Sequence, residues 1–220
     1  MIFHKHKAIY FHIAKTAGTA VEKLLVPEAR DAYVMDLEQF FGFDRKNNMF
    51  LQHATAQFMY ERIDKAIFED YFKFTIVRNP FVRCLSVYHY TYDANLKRFG
   101  SFESFIQELP HLVSDQAAHK GSHHSSQTMH THIDGVQVCD HICHFEALPT
   151  SFNPIRKKLG IVAPLAKHNT RRWFPWGDKP VEEFYTPETI EIVQEVYADD
   201  FKNFSYSNTL DNLLPIKDGQ

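Results

Sequence analysis

Two apolar runs, each leading directly into a turn and a helix start, set the main limits on how this chain folds. The first reads AIYFHIAKTAGTA over residues 8–20 and the second FKFTIVRNPFVRCLS over residues 72–86. A short β-branched and aromatic run closed by small or turn residues has the character of a buried strand. Residues 8–13 and 72–77 are therefore expected as strands. Each is followed by a cation where an anion would sit, Lys15 in the first segment and Arg78 in the second. Two such sites in one domain suit a ligand with two separate phosphate groups.

The rest of the pattern alternates strands with helices, which points to an α/β domain with a parallel sheet. A short helix is expected over 20–25, ending before Pro27, and residues 28–51 show little period beyond a short strand and connecting loops. Phe58, Ile63 and Ile67 fall near helical spacing and predict one helix over 54–70. Asn79 as N-cap and Pro80 at the first position predict a helix running to about Leu96. A short helix capped by Ser101 is expected over 101–109, a strand over 140–145, and a helix over 151–159 closed by Gly160. Residues 110–135 are the least regular part. A loop containing Pro, Trp and Arg spans 163–179, and Thr186-Pro187 opens a last long helix over 188–201.

A chain of 220 residues, 44% of them hydrophobic and with 20 Phe and 10 Tyr, fits a single domain over residues 1–220 that buries a sizeable core. The formal charge of −3 argues against a general nucleic-acid binder and leaves room for a local basic pocket. Three cysteines, Cys84, Cys139 and Cys143, make no full disulfide framework, so a reducing compartment is the default. No apolar run approaches the ~20 residues of a membrane span. The stretch over 8–14 contains His12 and enters a functional-looking loop, unlike a signal peptide. The expectation is a soluble cytoplasmic protein without a transmembrane segment.

A helix N-terminus presents unpaired N–H groups and positive dipole charge, and small residues let an anion approach. The loop Lys15-Thr16-Ala17-Gly18-Thr19-Ala20 has this character. A plain strand–helix turn, with Thr19 and Glu22 as a capping box, is an equally good account of it. It is not a Walker A loop, because Ile9 stands where that motif needs its first glycine. In the second segment Arg78 ends a strand, where its guanidinium can fork onto a phosphate. Asn79, Arg83, Ser86 and Tyr90 share one helical face, and the Ser86 hydroxyl can share an anion with Arg78. A strand-end arginine and a tolerated mid-helix serine explain the same residues in isolation.

Together the two segments resemble the sulfotransferases that use 3′-phosphoadenosine 5′-phosphosulfate (PAPS), particularly carbohydrate 2-O-sulfotransferases and their soluble bacterial relatives. The family's 5′-phosphosulfate loop looks like H-I-P-K-T-[AG]-G-T-[ST], matched from His12 to Ala20 with Ala14 in place of Pro and Ala20 in place of Ser/Thr. Its 3′-phosphate segment looks like [FV]-x-x-[VL]-R-[DN]-P-x-x-R-x-x-S-x-[YF], matched from Phe74 to Tyr88. Weaker echoes are His144-Phe145-Glu146 and the helix end from Tyr197 to Phe201. The resemblance implies a three-layer, P-loop-like α/β domain with a central, mainly parallel sheet flanked by helices.

It also implies roles. Lys15 would neutralise the leaving 5′-phosphate, and Thr16, Ala17, Gly18, Thr19 and Ala20 would cradle it through their amides and the two threonine hydroxyls. Arg78 and Ser86 would hold the 3′-phosphate, with no metal required. His53, in an H-x-[ST] element between the two segments, would be the general base toward an acceptor hydroxyl, most simply on a carbohydrate. Glu146, His144 and Arg171 are weaker substrate candidates. A small-molecule or nucleoside kinase with a degenerate P-loop is one alternative, and a non-catalytic sulfotransferase-like binding protein is another. The histidine-rich stretch over 119–144, with Cys139-x-x-x-Cys143, lacks a second ligand pair at structural-zinc spacing and reads better as a polar substrate loop.

Overall fold

A computed structural model describes residues 1–26, 28, 30–90, 92–115, 119–166 and 179–216. In chain order these form β1 (Ile2–Phe3), β2 (Ala8–Phe11), α1 (Gly18–Leu25), β3 (Phe43–Asp44), β4 (Met49–Phe50), α2 (Ala56–Tyr60), α3 (Lys65–Asp70), β5 (Phe72–Val77) and α4 (Pro80–Tyr90). There follow α5 (Tyr92–Phe99), α6 (Phe102–Gln107), α7 (Leu109–Ser114), β6 (His132–Ile133), β7 (Val136–Gln137), β8 (His141–His144), α8 (Asn153–Lys158), α9 (Pro187–Val196) and α10 (Ala198–Asn203). The central sheet has the order β1-β2-β5-β8. β1 is an antiparallel edge, while β2, β5 and β8 run parallel, with Tyr10 opposite Phe74 and Ile76 opposite Cys143.

Side chains alternate across the strands and so feed two faces. Ala8 and Tyr10, with Phe74 and Ile76, meet Val21 and Leu25 of α1 and Ile155 of α8. Ile9 and Phe11 face the other way, onto Phe58 and Met59 of α2 and Phe68 of α3. A third apolar cluster joins Ile13 and Val77, at the strand exits, to α4, α6, α7, α9 and α10. This is the expected α/β architecture of a mainly parallel sheet flanked by helices. Tyr10, Phe11 and Phe74 are fully buried, and burying a side chain of this size stabilises by about 1.5–3 kcal/mol. Among the described residues no helix is long and apolar enough to cross a membrane.

Several boundaries differ from expectation for local reasons. The single helix over 54–70 is two: Thr55 caps α2 by accepting from Phe58 N, and Asp64 starts α3 by accepting from Ala66 N at 2.7 Å. Breaking the helix there brings Phe58, Met59 and Phe68 into one cluster. The last helix also splits, at Tyr197, whose hydroxyl donates to His124 O at 2.7 Å. The irregular stretch over 110–135 begins with the end of α7. The strand over 8–13 ends at Phe11. The Thr19–Glu22 capping box does not form: α1 starts at Gly18, Ala17 is its N-cap with no side-chain bond, and Glu22 pairs with Arg30 at 3.1 Å.

Candidate active site

Because β2 and β5 are adjacent and parallel, the loops leaving them emerge side by side at one edge of the sheet. A cleft of about 510 Å³ opens there, lined by His12, Lys15, Ala17, Gly18, Thr19, Ala20, Lys23, His53, Arg78, Ser86, Tyr90 and His123, among others. That volume falls within the range of small-molecule sites. No carboxylate is among the described residues that line it, whereas Lys15, Lys23 and Arg78 are. In a chain of net charge −3, this concentrates positive potential where an anionic ligand would enter.

The first loop is shaped by two left-handed residues, Lys15 at φ 69° and Ala17 at φ 73°. Such a conformation costs a non-glycine residue roughly 1–2 kcal/mol, and loops of this kind turn successive N–H groups into an anion-binding hollow. Gly18 opens α1 because a Cβ there would lie 1.6 Å from Nε2 of His12. Lys15 Nζ rests over the Tyr90 ring, 3.9 Å from its centroid. Burial, with help from the Arg78 charge, lowers the Lys15 ammonium to about 8. The ammonium would gain strongly from an anionic partner.

Thr16 departs from its expected role. It is fully buried, and its hydroxyl donates to Ile13 O at 2.8 Å, bracing the turn from inside. With Ala20 in place of a hydroxylated residue, the cradle consists of backbone amides, the Lys15 ammonium and the exposed Thr19.

Arg78 is 7% exposed. One terminal nitrogen donates to Lys15 O at 3.2 Å, its guanidinium lies over the Phe145 ring at 4.2 Å, and its Nε finds no partner among the described residues. Its backbone is clamped by Gln127, whose amide accepts from Arg78 N and donates to Arg78 O, both at 2.8 Å. Burial lowers the guanidinium to about 10, and the Glu146 carboxylate opposes that shift. Ser86 lines the cleft from α4, and Asn79 caps that helix by accepting from Phe81 N at 3.0 Å. Arg83, on the same helix face, is buried and ties the site together. It donates to Ala14 O at 3.3 Å, His123 O at 3.0 Å and Ser125 O at 2.8 Å.

His53 lies between the two loops. Its Nδ1 donates to His12 O at 3.0 Å, so Nε2 keeps a free lone pair. Burial holds this imidazole down at about 4; the carbonyl contact opposes that shift, and the Arg83 and Lys15 charges reinforce it. Its ring centroid is 4.5 Å from that of His12 and 5.1 Å from that of His123. Burial lowers His123 to about 3. The stretch carrying His123 is pinned beside His53: Thr55 donates from N to Lys120 O and from Oγ1 to His119 O, both at 2.9 Å. Gly121 takes φ +129°, where a Cβ would stand 1.9 Å from His53 O.

Glu146 and His144 are not among the cleft's lining residues. Glu146 accepts from Asn79 N at 2.8 Å and from the Tyr206 hydroxyl at 2.7 Å, so both its oxygens are engaged in holding the Arg78 turn. His144 Nε2 donates to Phe204 O at 2.9 Å. Both expected substrate candidates are thus engaged in framework bonds away from the cleft lining. Arg171 and the basic stretch over 167–173 lie outside the described residues. The geometry instead adds His12, Lys23, Tyr90 and His123 to the cleft. His12 stood inside the first segment, Tyr90 lay just past the second on the helix face of Arg83 and Ser86, and His123 was hidden among many histidines with no spacing signal. Among the described residues no group of three His, Cys, Asp or Glu side chains is arranged to hold a metal.

The donor set suits a ligand bearing two phosphates. The Lys15 ammonium and the loop that opens α1 line one side of the cleft, and the buried Arg78 guanidinium, whose Nε finds no partner among the described residues, lines it too. A family model described as the sulfotransferase family matches residues 1–207. No curated protein and no solved structure gives a significant match.

Proposed function

The chain belongs to the sulfotransferase family, and on that premise we propose that it moves a sulfuryl group from PAPS to a hydroxyl of a carbohydrate acceptor. When bound, PAPS supplies a sulfur whose bond to the 5′-phosphate oxygen breaks, the electron pair leaving on that oxygen, as the acceptor oxygen bonds to sulfur. Lys15 neutralises the charge that grows on the 5′ side, with the amides of the loop to Ala20 and the Thr19 hydroxyl around it. Arg78 and Ser86 grip the 3′-phosphate. His53 accepts the acceptor's proton at Nε2. Tyr90 and His123 flank the same space with ring faces on which a sugar can stack.

The observation that carries this proposal is the pairing of Lys15 and Arg78 at adjacent strand exits, bridged by the 3.2 Å bond from the guanidinium to Lys15 O. That pairing gives the test. Arg78→Ala should weaken adenosine 3′,5′-bisphosphate roughly 10- to 100-fold, the worth of a hydrogen bond to a charged group. Adenosine 5′-phosphosulfate, which lacks the 3′-phosphate, should lose far less. Calorimetry with both ligands, and with ATP and Mg²⁺ as a control, reads the difference. Equal losses would make Arg78 a framework residue, and tighter binding of ATP than of the bisphosphate would favour a kinase.

The titrating groups predict a pH profile. His53 acts as a base only when neutral, and burial keeps it neutral down to about pH 4, so kcat/KM should stay level on the acid side until the fold itself is lost. Lys15 acts only when charged, so kcat/KM should fall above about pH 8. A rising limb near the ordinary histidine value of ~6.5 would place the base outside this buried cluster.

A further inference from the structure

We infer that His12 is a second catalytic imidazole, donating a hydrogen bond from Nε2 to a non-bridging sulfuryl oxygen while His53 takes the proton. This rests on the donor assignment above and deepens it.

His12 leaves β2 one residue past its end and is 8% exposed. Its ring stacks on Tyr10 at a centroid distance of 5.6 Å and abuts His53 at 4.5 Å. Nδ1 is buried and has no partner among the described residues. Leaving an N–H buried without an acceptor costs about 1–3 kcal/mol, and orphaned N–H groups are rarer than orphaned acceptors. The proton therefore sits on Nε2. That nitrogen lies nearest to where a Gly18 Cβ would stand, at the start of α1, and both residues line the cleft.

His53 is set in the opposite sense. Its Nδ1–H is spent on His12 O, which leaves Nε2 bare. The two adjacent rings thus present one donor and one acceptor to the same space. A reacting group held by the Lys15 loop and approached by an acceptor beside His53 lies next to His12. His12 keeps its proton throughout; the proton that moves goes from the acceptor hydroxyl to His53. Glycine at position 18 is what admits the His12 ring this close to the cradle.

The test compares PAPS with adenosine 3′,5′-bisphosphate, which lacks the sulfuryl group, on the full chain. His12→Phe keeps a ring against Tyr10 and Gly18 and removes the donor. It should leave bisphosphate affinity within about twofold and weaken PAPS about fivefold, the net worth of one hydrogen bond. Sulfate release from PAPS to water should fall about 100-fold, as for loss of one oxyanion donor. His12→Gln, whose amide N–H reaches the Nε2 position, should recover release to within about tenfold of the parent. Parallel loss of both ligands, unchanged release in His12→Phe, or Gln no better than Phe would each overturn the role of His12. If His12→Phe fails to fold, His12→Leu beside His12→Gln gives the same comparison. A parent protein that binds neither ligand would instead overturn the donor assignment, and the role of His12 with it.

Discussion

His53→Ala should cut turnover about 100- to 10,000-fold, the usual worth of a positioned general base, and leave bisphosphate affinity within about twofold. The two halves of this result come from different contacts. His53 is held by His12 O and by the ring neighbours His12 and His123, whereas the proposed phosphate grips are the Lys15 loop and Arg78 with Ser86. Removing the imidazole takes away the bare Nε2 and leaves both grips in place. Calorimetry with the bisphosphate and sulfate release from PAPS measure the two halves separately. Retained turnover would transfer the base role to His123, the next imidazole along the cleft. Glu146 is no substitute, because both its oxygens already accept hydrogen bonds.

The second large effect is acid lability. His53 and His124 are held at about 4 by burial, His123 and His130 at about 3, and His12 well below its ordinary value by the same cause. An unfolded histidine titrates near ~6.5. Each of these groups has a folded pKa below its unfolded one, so its contribution is intact above about pH 6.5 and is lost as pH falls toward 4 and 3. At pH 5 the loss is on the order of 2 kcal/mol per imidazole, because the unfolded chain takes up a proton that the fold excludes. The four imidazoles held at about 4 and 3 together rival the ~5–15 kcal/mol stability of a whole domain. Asp200 works in the opposite direction, since burial raises its carboxyl, but a single carboxyl does not offset the cluster. The melting temperature should fall slightly from pH 8 to 7, as the Met1 amino group held at about 4 by burial charges in the unfolded chain, and collapse between about pH 6 and 5. A melting temperature that held to pH 4.5 would mean that these imidazoles are charged in the fold.

How much of this was legible from the chain depended on range. Phe72–Val77 matches its predicted strand because a strand between a turn and Asn79-Pro80 is specified by near neighbours. Helix breaks at Asp64 and Tyr197 were not legible, since each answers to packing across the core: Phe68 must meet Phe11, and the Tyr197 hydroxyl must reach His124. The cleft shows the same division. Lys15, Gly18, Arg78 and Ser86 come together because their segments carry both the strand and the turn. Thr16 looked like a ligand contact by type, yet the left-handed turns around it aim its hydroxyl at Ile13 O. His144 ends β8 and Glu146 follows it, and they reach Phe204 and the Arg78 turn through contacts between residues far apart in sequence. His123 reaches the cleft only because Thr55, Gly121 and Arg83 fasten its segment there.

The parallel pairing of β2 with β5 has a consequence for how such a protein can diverge. Neighbouring strands lie about 4.8 Å apart, so the offset between the Lys15 and Arg78 turns is gauged by the backbone ladder and not by the loops. Pairing Tyr10 with Phe74 and Phe11 with Thr75 fixes this gauge in the most buried part of the molecule. The outer wall, from His119 to Ser125, hangs on it through a few carbonyls. Under the proposed function, exchanging residues in that wall would admit a different acceptor while the calibration for the donor stays untouched.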